Sequence, residues 1–267
     1  DGGGPGPDGL TAAPNNLAAI MQWVAVLGST ETRVAEAFRH GRGVPYSAYE
    51  RFNEVMSEES GQSVVAGLEQ HILPLVDGLK QRLADGIDVL DVGCGCGRAL
   101  LHLAEIYPNS RFVGYDMLEQ AVDEARAEAR RRGLTNVRFE ARDAAAIADS
   151  AAFDLITTFD AVHDQARPAR VLANIRRALR PGGVYLCQEI KGDSEHAGNL
   201  EHPLAPFLYT VSTMHCMSVS LANGGPGLGA MWGRQLCQQM LADAGFSDIQ
   251  MNELPHDIQN DWYVCRP

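Results

Sequence analysis

The sequence is short of positive charge: 22 lysines and arginines stand against 34 aspartates and glutamates, a formal net charge of -12. Proteins that hold nucleic acid carry a basic footprint for the phosphates, so this balance argues against a nucleic-acid partner for the chain in hand. The local exception, Arg126, Arg130, Arg131 and Arg132, reads as a solvated helix face near a C-terminus, where cations suit the helix dipole. No run approaches the roughly 20 apolar residues that span a bilayer, so no membrane segment is expected. The start, Asp1-Gly2-Gly3-Gly4-Pro5-Gly6-Pro7, lacks the basic and apolar regions of a secretory signal. It also lacks an initiator Met, and the chain reads as a truncated or processed piece of a cytoplasmic protein. None of the six cysteines forms a Cys-x-x-Cys pair. Thiols scattered through a chain of this length point to free cysteines rather than a disulfide framework. No metal is expected, because Cys94 and Cys96 have no His or Cys partners at ligand spacing.

What the sequence does have is order. Residues 15–38 repeat Leu17, Ile20, Met21, Val24, Leu27, Val34 and Phe38 at helical spacing. Asn15 or Asn16 is placed to cap the first helix, and Gly28-Ser29 divides it from a second. Further helices are expected over 46–56 and 62–83. At Asp85-Gly86 the pattern changes to strands alternating with helices: strands at 87–92, 111–115, 137–141, 153–159 and 184–190, helices at 98–107, 118–132 and 168–179. Such alternation implies βαβ units with right-handed crossovers. An insertion, 193–232, interrupts it and is helical around 204–221. A helix at 233–244 and strands near 249–254 and 261–265 close the chain. The expected fold is α/β, a doubly wound Rossmann-like seven-stranded sheet with an N-terminal helical segment. The segment 1–84 is read as a dimerisation and lid element, and 85–267 as the catalytic domain.

In an open sheet of this kind, ligands bind beyond the carboxyl ends of the strands, at the topological switch point. Those ends carry Gly93, Gly95 and Gly97 after the first strand, Asp116 after the second, Asp143 after the third and Asp160 to Asp164 after the fourth. Glycine allows close backbone approach and positive φ. An acid after the second strand suits ribose hydroxyls. A dinucleotide fingerprint would put its third glycine at position 98, but Arg98 stands there. The loop therefore need not cradle a phosphate. It suits the amino-acid end of S-adenosylmethionine, with Asp91 facing the ammonium group through water and Asp143 the adenine amino group. Met117, Ala144 and Phe159, at the same strand ends, complete this expected set. Asp116 has a second reading as a helix N-cap, and Asp143 one as turn chemistry.

Val89-Leu90-Asp91-Val92-Gly93-Cys94-Gly95-Cys96-Gly97 resembles motif I of the class I methyltransferases. Val113-Gly114-Tyr115-Asp116, Phe153-Asp154-Leu155-Ile156 and Leu179-Arg180-Pro181-Gly182-Gly183 resemble three further motifs. The resemblance covers about 85–192 and 233–267, and it implies methyl transfer from S-adenosylmethionine. Upstream, the stretch from Tyr49 to Ser60 is similar to the Phe-Asn-x-x-Met-x-x-x-Ser segment of small-molecule O-methyltransferases. That similarity implies that Phe52, Met56 and Ser60 approach the methionine end of the cofactor. The pattern also resembles actinobacterial winged-helix methyltransferases. Here only 1–13 is left as a remnant of the winged helix, and the helices around Trp23 and Val34 resemble those that form the homodimer.

After the fourth strand the chain reads Phe159-Asp160-Ala161-Val162-His163-Asp164. His163-Asp164 resembles the His-Asp pair of the caffeic acid type of O-methyltransferase. A hydroxyl acceptor loses its proton as the methyl arrives, so a base near neutral pKa helps. His163 is the candidate catalytic base, oriented by Asp164 or Glu189, with a pocket-shaping role as the alternative. The insertion is rich in Met and aromatic residues, which suit a small, fairly apolar acceptor. Three histidines in it, His196, His202 and His215, lack the spacing of a metal site. Two other readings stay open: transfer to nitrogen, sulfur or carbon on the same fold, and a non-catalytic cofactor-binding regulator.

Overall fold

The computed structural model describes residues 20–267. Asn15, Asn16, Leu17 and the stretch 1–13 lie outside the described residues. Two helices, α1 (Trp23–Gly28) and α2 (Glu31–His40), open the described chain. A 3-10 turn at Tyr46–Ala48 leads to α3 (Phe52–Ser63). The expected long helix over 62–83 is not continuous. Short 3-10 and π turns run through 65–75 before α4 (Leu79–Asp85). Pro74 lacks the N–H that an α-helix requires, and Gly78 at φ 70° takes the left-handed backbone that breaks one.

From there strands and helices alternate: β1 (Asp88–Val92), α5 (Arg98–Ile106), β2 (Arg111–Asp116), α6 (Glu119–Arg131), β3 (Val137–Ala141), β4 (Phe153–Phe159), α7 (Pro168–Ala178) and β5 (Leu179–Ile190). The insertion supplies α8 (Ala205–Val211), a π turn at Ser212–Cys216 and α9 (Met217–Ala222). The chain ends with α10 (Arg234–Asp243), β6 (Asp248–Glu253) and β7 (Asn260–Arg266). The seven strands lie in the order β3-β2-β1-β4-β5-β7-β6, with β7 antiparallel to β5 and β6 and the other pairs parallel. The order reverses between β1 and β4, which opens a crevice at their carboxyl ends.

The central strands are apolar along their length because both faces are covered. Leu100, Val122, Leu155 and Trp262 belong to one core and Leu90, Ile156, Ile175 and Tyr185 to the other. A third core ties the N-terminal arm to the insertion: Trp23, Val26, Tyr49 and Val55 pack with Val219, flanked by Phe207 and Met214. Hydrogen bonds fasten it, Val44 N–H donating to Ser218 O at 3.2 Å and the Tyr49 side-chain OH to Met214 O at 2.5 Å.

Candidate functional site

At the crevice, β1 delivers the chain into the loop Gly93 to Gly97. Gly93 and Cys94 N–H groups donate to Tyr115 O at 2.8 and 3.1 Å, so β2 anchors the loop. All three of its glycines have positive φ. A Cβ on Gly93 would lie 2.6 Å from the Cβ of Ala161, across the crevice. At Gly95 a Cβ would meet nothing within 4 Å, so the backbone there faces open space. Asp116 binds this loop directly. Its Oδ2 accepts from Gly95 N–H at 2.8 Å and its Oδ1 from Leu118 N–H at 2.9 Å. The N-cap of α6 is Leu118, so Asp116 orders a turn rather than capping the helix.

Asp91, Gly93, Gly95, Asp116, Met117, Ala144, Phe159 and Met56 line a single pocket. Phe52 and Ser60 of the arm line it as well. Asp143 does not. Its carboxylate accepts from Ala145 N–H at 2.8 Å and Arg167 at 2.7 Å, which is the turn-and-ion-pair role open to Asp after a strand. Tyr46 and Arg142 also line the pocket, and spacing gave no hint of either. Tyr46 OH donates to Asp164, bolting the arm to the turn after β4. Arg142 lies over the Tyr115 ring, 4.3 Å from its centroid, and bonds its hydroxyl.

The residues present fit S-adenosylmethionine. The bare glycine backbone leaves a cradle that side chains would fill. Each oxygen of Asp116 has one backbone donor and room to accept another. Asp91 receives Thr157 OH at 2.7 Å. Burial pushes its carboxyl up to about 7, against that hydrogen bond and with help from the Asp116 charge. Such an acid is relieved by a cationic group nearby. Met56, Met117, Tyr115 and Phe159 supply apolar and aromatic wall.

Behind the pocket sits a charged cluster. His163 is buried and its Nδ1 lies 2.6 Å from Glu189 Oε2. Glu189 also receives Val162 N–H at 3.0 Å and Trp232 Nε1–H at 3.2 Å. Burial would lower the imidazole pKa, but Glu189, then Cys216 and Asp160, outweigh it and hold it well above the usual value. His163 is not among the residues that line the pocket. Of the expected orienting acids, Glu189 holds it. Asp160, His163 and Glu189 are the one group of three potential metal ligands close together among the described residues. Glu189 already faces three N–H donors, an environment for an anion and not for a cation.

A second histidine, His215, stacks on Phe52 with ring centroids 4.3 Å apart, edged by Tyr46 and Tyr49. Burial, then the charge of His163, drives its pKa down to about 3. It is a neutral ring of the core joining arm and insertion.

The chain is similar to known proteins in sequence and in fold. The sequence profile of a family described as a methyltransferase domain matches residues 83–245. Demethylmenaquinone methyltransferase of Lactococcus lactis is 28% identical over 144 residues, 52% of this chain and 57% of that protein. Nocamycin O-methyltransferase of Saccharothrix syringae is 36% identical over 129 residues, 47% of this chain and 44% of that protein. The chain spans about half the length of the curated relatives it matches. Human N-acetylserotonin methyltransferase in complex with S-adenosylmethionine superposes with a TM-score of 0.65 at 20% identity, covering 97% of this chain and 72% of that one. An O-methyltransferase family protein from Burkholderia thailandensis gives 0.66 at 18%, covering 97% and 74%. These two likenesses are of fold. No described helix is long and apolar enough to cross a membrane.

Proposed function

The chain belongs to the methyltransferase domain family, and from that premise we propose that it carries the methyl group of S-adenosylmethionine to a hydroxyl oxygen of a small, fairly apolar molecule. The observation that carries the reading is the cluster of Asp160, His163 and Glu189 beside the cofactor pocket. A hydroxyl must shed a proton during transfer, and a buried set of coupled acid and imidazole groups is what that step needs. The O-methyl transfer named in the Saccharothrix relative supports the same acceptor atom.

When bound, the donor supplies a methyl group on positively charged sulfur. Everything else falls to this chain. Gly93 and Gly95 would let the backbone approach it, Asp116 would accept hydrogen bonds from the ribose hydroxyls, and Asp91 would serve the ammonium end. Phe52 and Met56 of the arm exclude water from the reacting groups. By holding donor and acceptor together in one pocket, these residues would supply most of the rate through proximity.

The purified chain incubated with methyl-labelled S-adenosylmethionine and a panel of small phenols, alcohols, amines and thiols tests this. Label is expected in an O-methyl product. Cofactor binding without transfer to any acceptor would leave the regulator in its place, and transfer confined to amines or thiols would move the acceptor atom. His163→Ala is expected to keep cofactor affinity and lower kcat by about 100-fold, within the range of proton-transfer catalysis. Unchanged turnover would remove the cluster from the mechanism.

A further inference from the structure

Arg98 is the first residue of α5, directly after the loop glycine Gly97. The N-terminus of a helix favours anions, so a guanidinium at this position works against the helix dipole. On α3, Gly61 lies inside a helix, where glycine is less stable than alanine. The two departures meet in space. A Cβ on Gly61 would lie 2.7 Å from Arg98 Nη1, so the missing side chain is what lets the guanidinium lie against α3. Breaches of local preference that serve one contact are expected at functional sites.

Arg98 lines the cofactor pocket together with Ser57 and Ser60 of the arm. Gly61 stands one turn beyond Ser57, on the same face of α3. The half-buried guanidinium therefore meets the arm on the face that α3 turns to the pocket.

The charges of the pocket give Arg98 a task. Asp91, Asp116, Asp160 and Asp164 line it, and among the described residues only Arg98 and Arg142 set a positive side chain against them. Arg142 is held by Glu140 at 2.7 Å and by Asp149 at 3.2 Å, and it lies over the Tyr115 ring. S-adenosylmethionine brings an ammonium group and a positive sulfur, which the acids suit. It also brings a carboxylate, which they repel. A carboxylate leaving water for such a wall needs a cation that also hydrogen-bonds it. A guanidinium offers paired N–H donors in the geometry that a carboxylate takes.

We propose that Arg98 binds the carboxylate of S-adenosylmethionine, and that Gly61 is the clearance that lets it do so. Asp91 on β1 and Arg98 on α5 then read the two opposite charges of the amino-acid end. The assignment concerns the methyl donor and holds whichever acceptor atom is methylated.

Calorimetry tests this without any acceptor. Wild type, Arg98→Met, Arg98→Lys and Gly61→Ala are titrated with S-adenosylmethionine and with its decarboxylated form, S-adenosyl-3-methylthiopropylamine. The quantity read is the ratio of the two affinities. Arg98→Met is expected to lower the preference for the carboxylate form by about 10- to 100-fold, as for a lost charge-assisted pair, with no loss of affinity for the decarboxylated form. Arg98→Lys keeps the charge without the planar fork and should lower the preference less. Gly61→Ala should displace the guanidinium and lower the preference by about 3- to 10-fold. Its Tm should not fall, because alanine favours the helix. An Arg98 that merely ties α3 to α5 would, when replaced, weaken both ligands alike. That result overturns the proposal, as does an Arg98→Met ratio within about twofold of wild type. A Gly61→Ala protein with an unchanged ratio overturns the clearance. If wild type binds neither form, the proposal falls together with the cofactor itself.

Discussion

At the residue scale, Asp116 and Asp91 are both acids beside the pocket, but they do different work. Asp116 accepts from Gly95 N–H of the loop with one oxygen and from Leu118 N–H with the other, so Asp116→Asn puts an amide N–H against a backbone N–H. S-adenosylmethionine affinity is expected to fall at least about tenfold, with a stability loss of about 1–3 kcal/mol from the unpaired donors; calorimetry with unchanged affinity would remove Asp116 from the cofactor site. Asp91 carries its proton up to about 7. A cationic ligand end favours the ionised form, so binding near pH 7 is expected to release roughly half a proton. Calorimetry in buffers of different ionisation enthalpy reads that release, and Asp91→Asn should diminish it. Both acids were legible in the sequence because each stands one place from a strand end. Asp143, two places beyond its strand, was read in the same way and went to Arg167 instead. Position after a strand says where a side chain starts, and the neighbours in space decide what it binds. Spacing likewise placed Asp160 after the fourth strand but did not encode its positive φ.

At the scale of the element, the three loop glycines divide by what surrounds them. A Cβ on Gly97 would lie 2.4 Å from the Phe139 ring, while one on Gly95 would meet open space. Both have positive φ. Gly97→Ala should therefore lose both backbone and packing energy, about 2–4 kcal/mol by denaturant unfolding. Gly95→Ala should lose only about 1–2 kcal/mol from the backbone yet weaken cofactor binding more. Equal stability losses for the two would contradict this division. Strand positions were readable because apolar β-branched runs between turn residues have few other uses. The helix expected over 62–83 was not, because apolar spacing continues through Pro74 and Gly78 while the backbone does not. β5 likewise starts at Leu179, taking in the Pro181-Gly182-Gly183 turn that was read as lying before it.

For the whole molecule, the order β3-β2-β1-β4-β5-β7-β6 sets the pocket at the switch between β1 and β4, and the alternation of elements made that layout readable. The joining of arm and insertion was not, because their partners lie far apart in sequence: Val44 with Ser218, Tyr49 with Met214, Phe52 with His215. The net charge of -12 acts at this scale too. S-adenosylmethionine carries a net positive charge that S-adenosylhomocysteine lacks. The association rate of the donor should therefore exceed that of the product at low salt and converge on it as salt rises; stopped-flow rates independent of salt would exclude such steering. The shared core also constrains redesign. A chimera that imports a foreign insertion alone would set unfamiliar rings against Trp23 and Phe52, while one that imports arm and insertion together carries its own fitted surface. The acceptor wall of this scaffold is a paired cassette, two separate stretches of sequence inherited as one part.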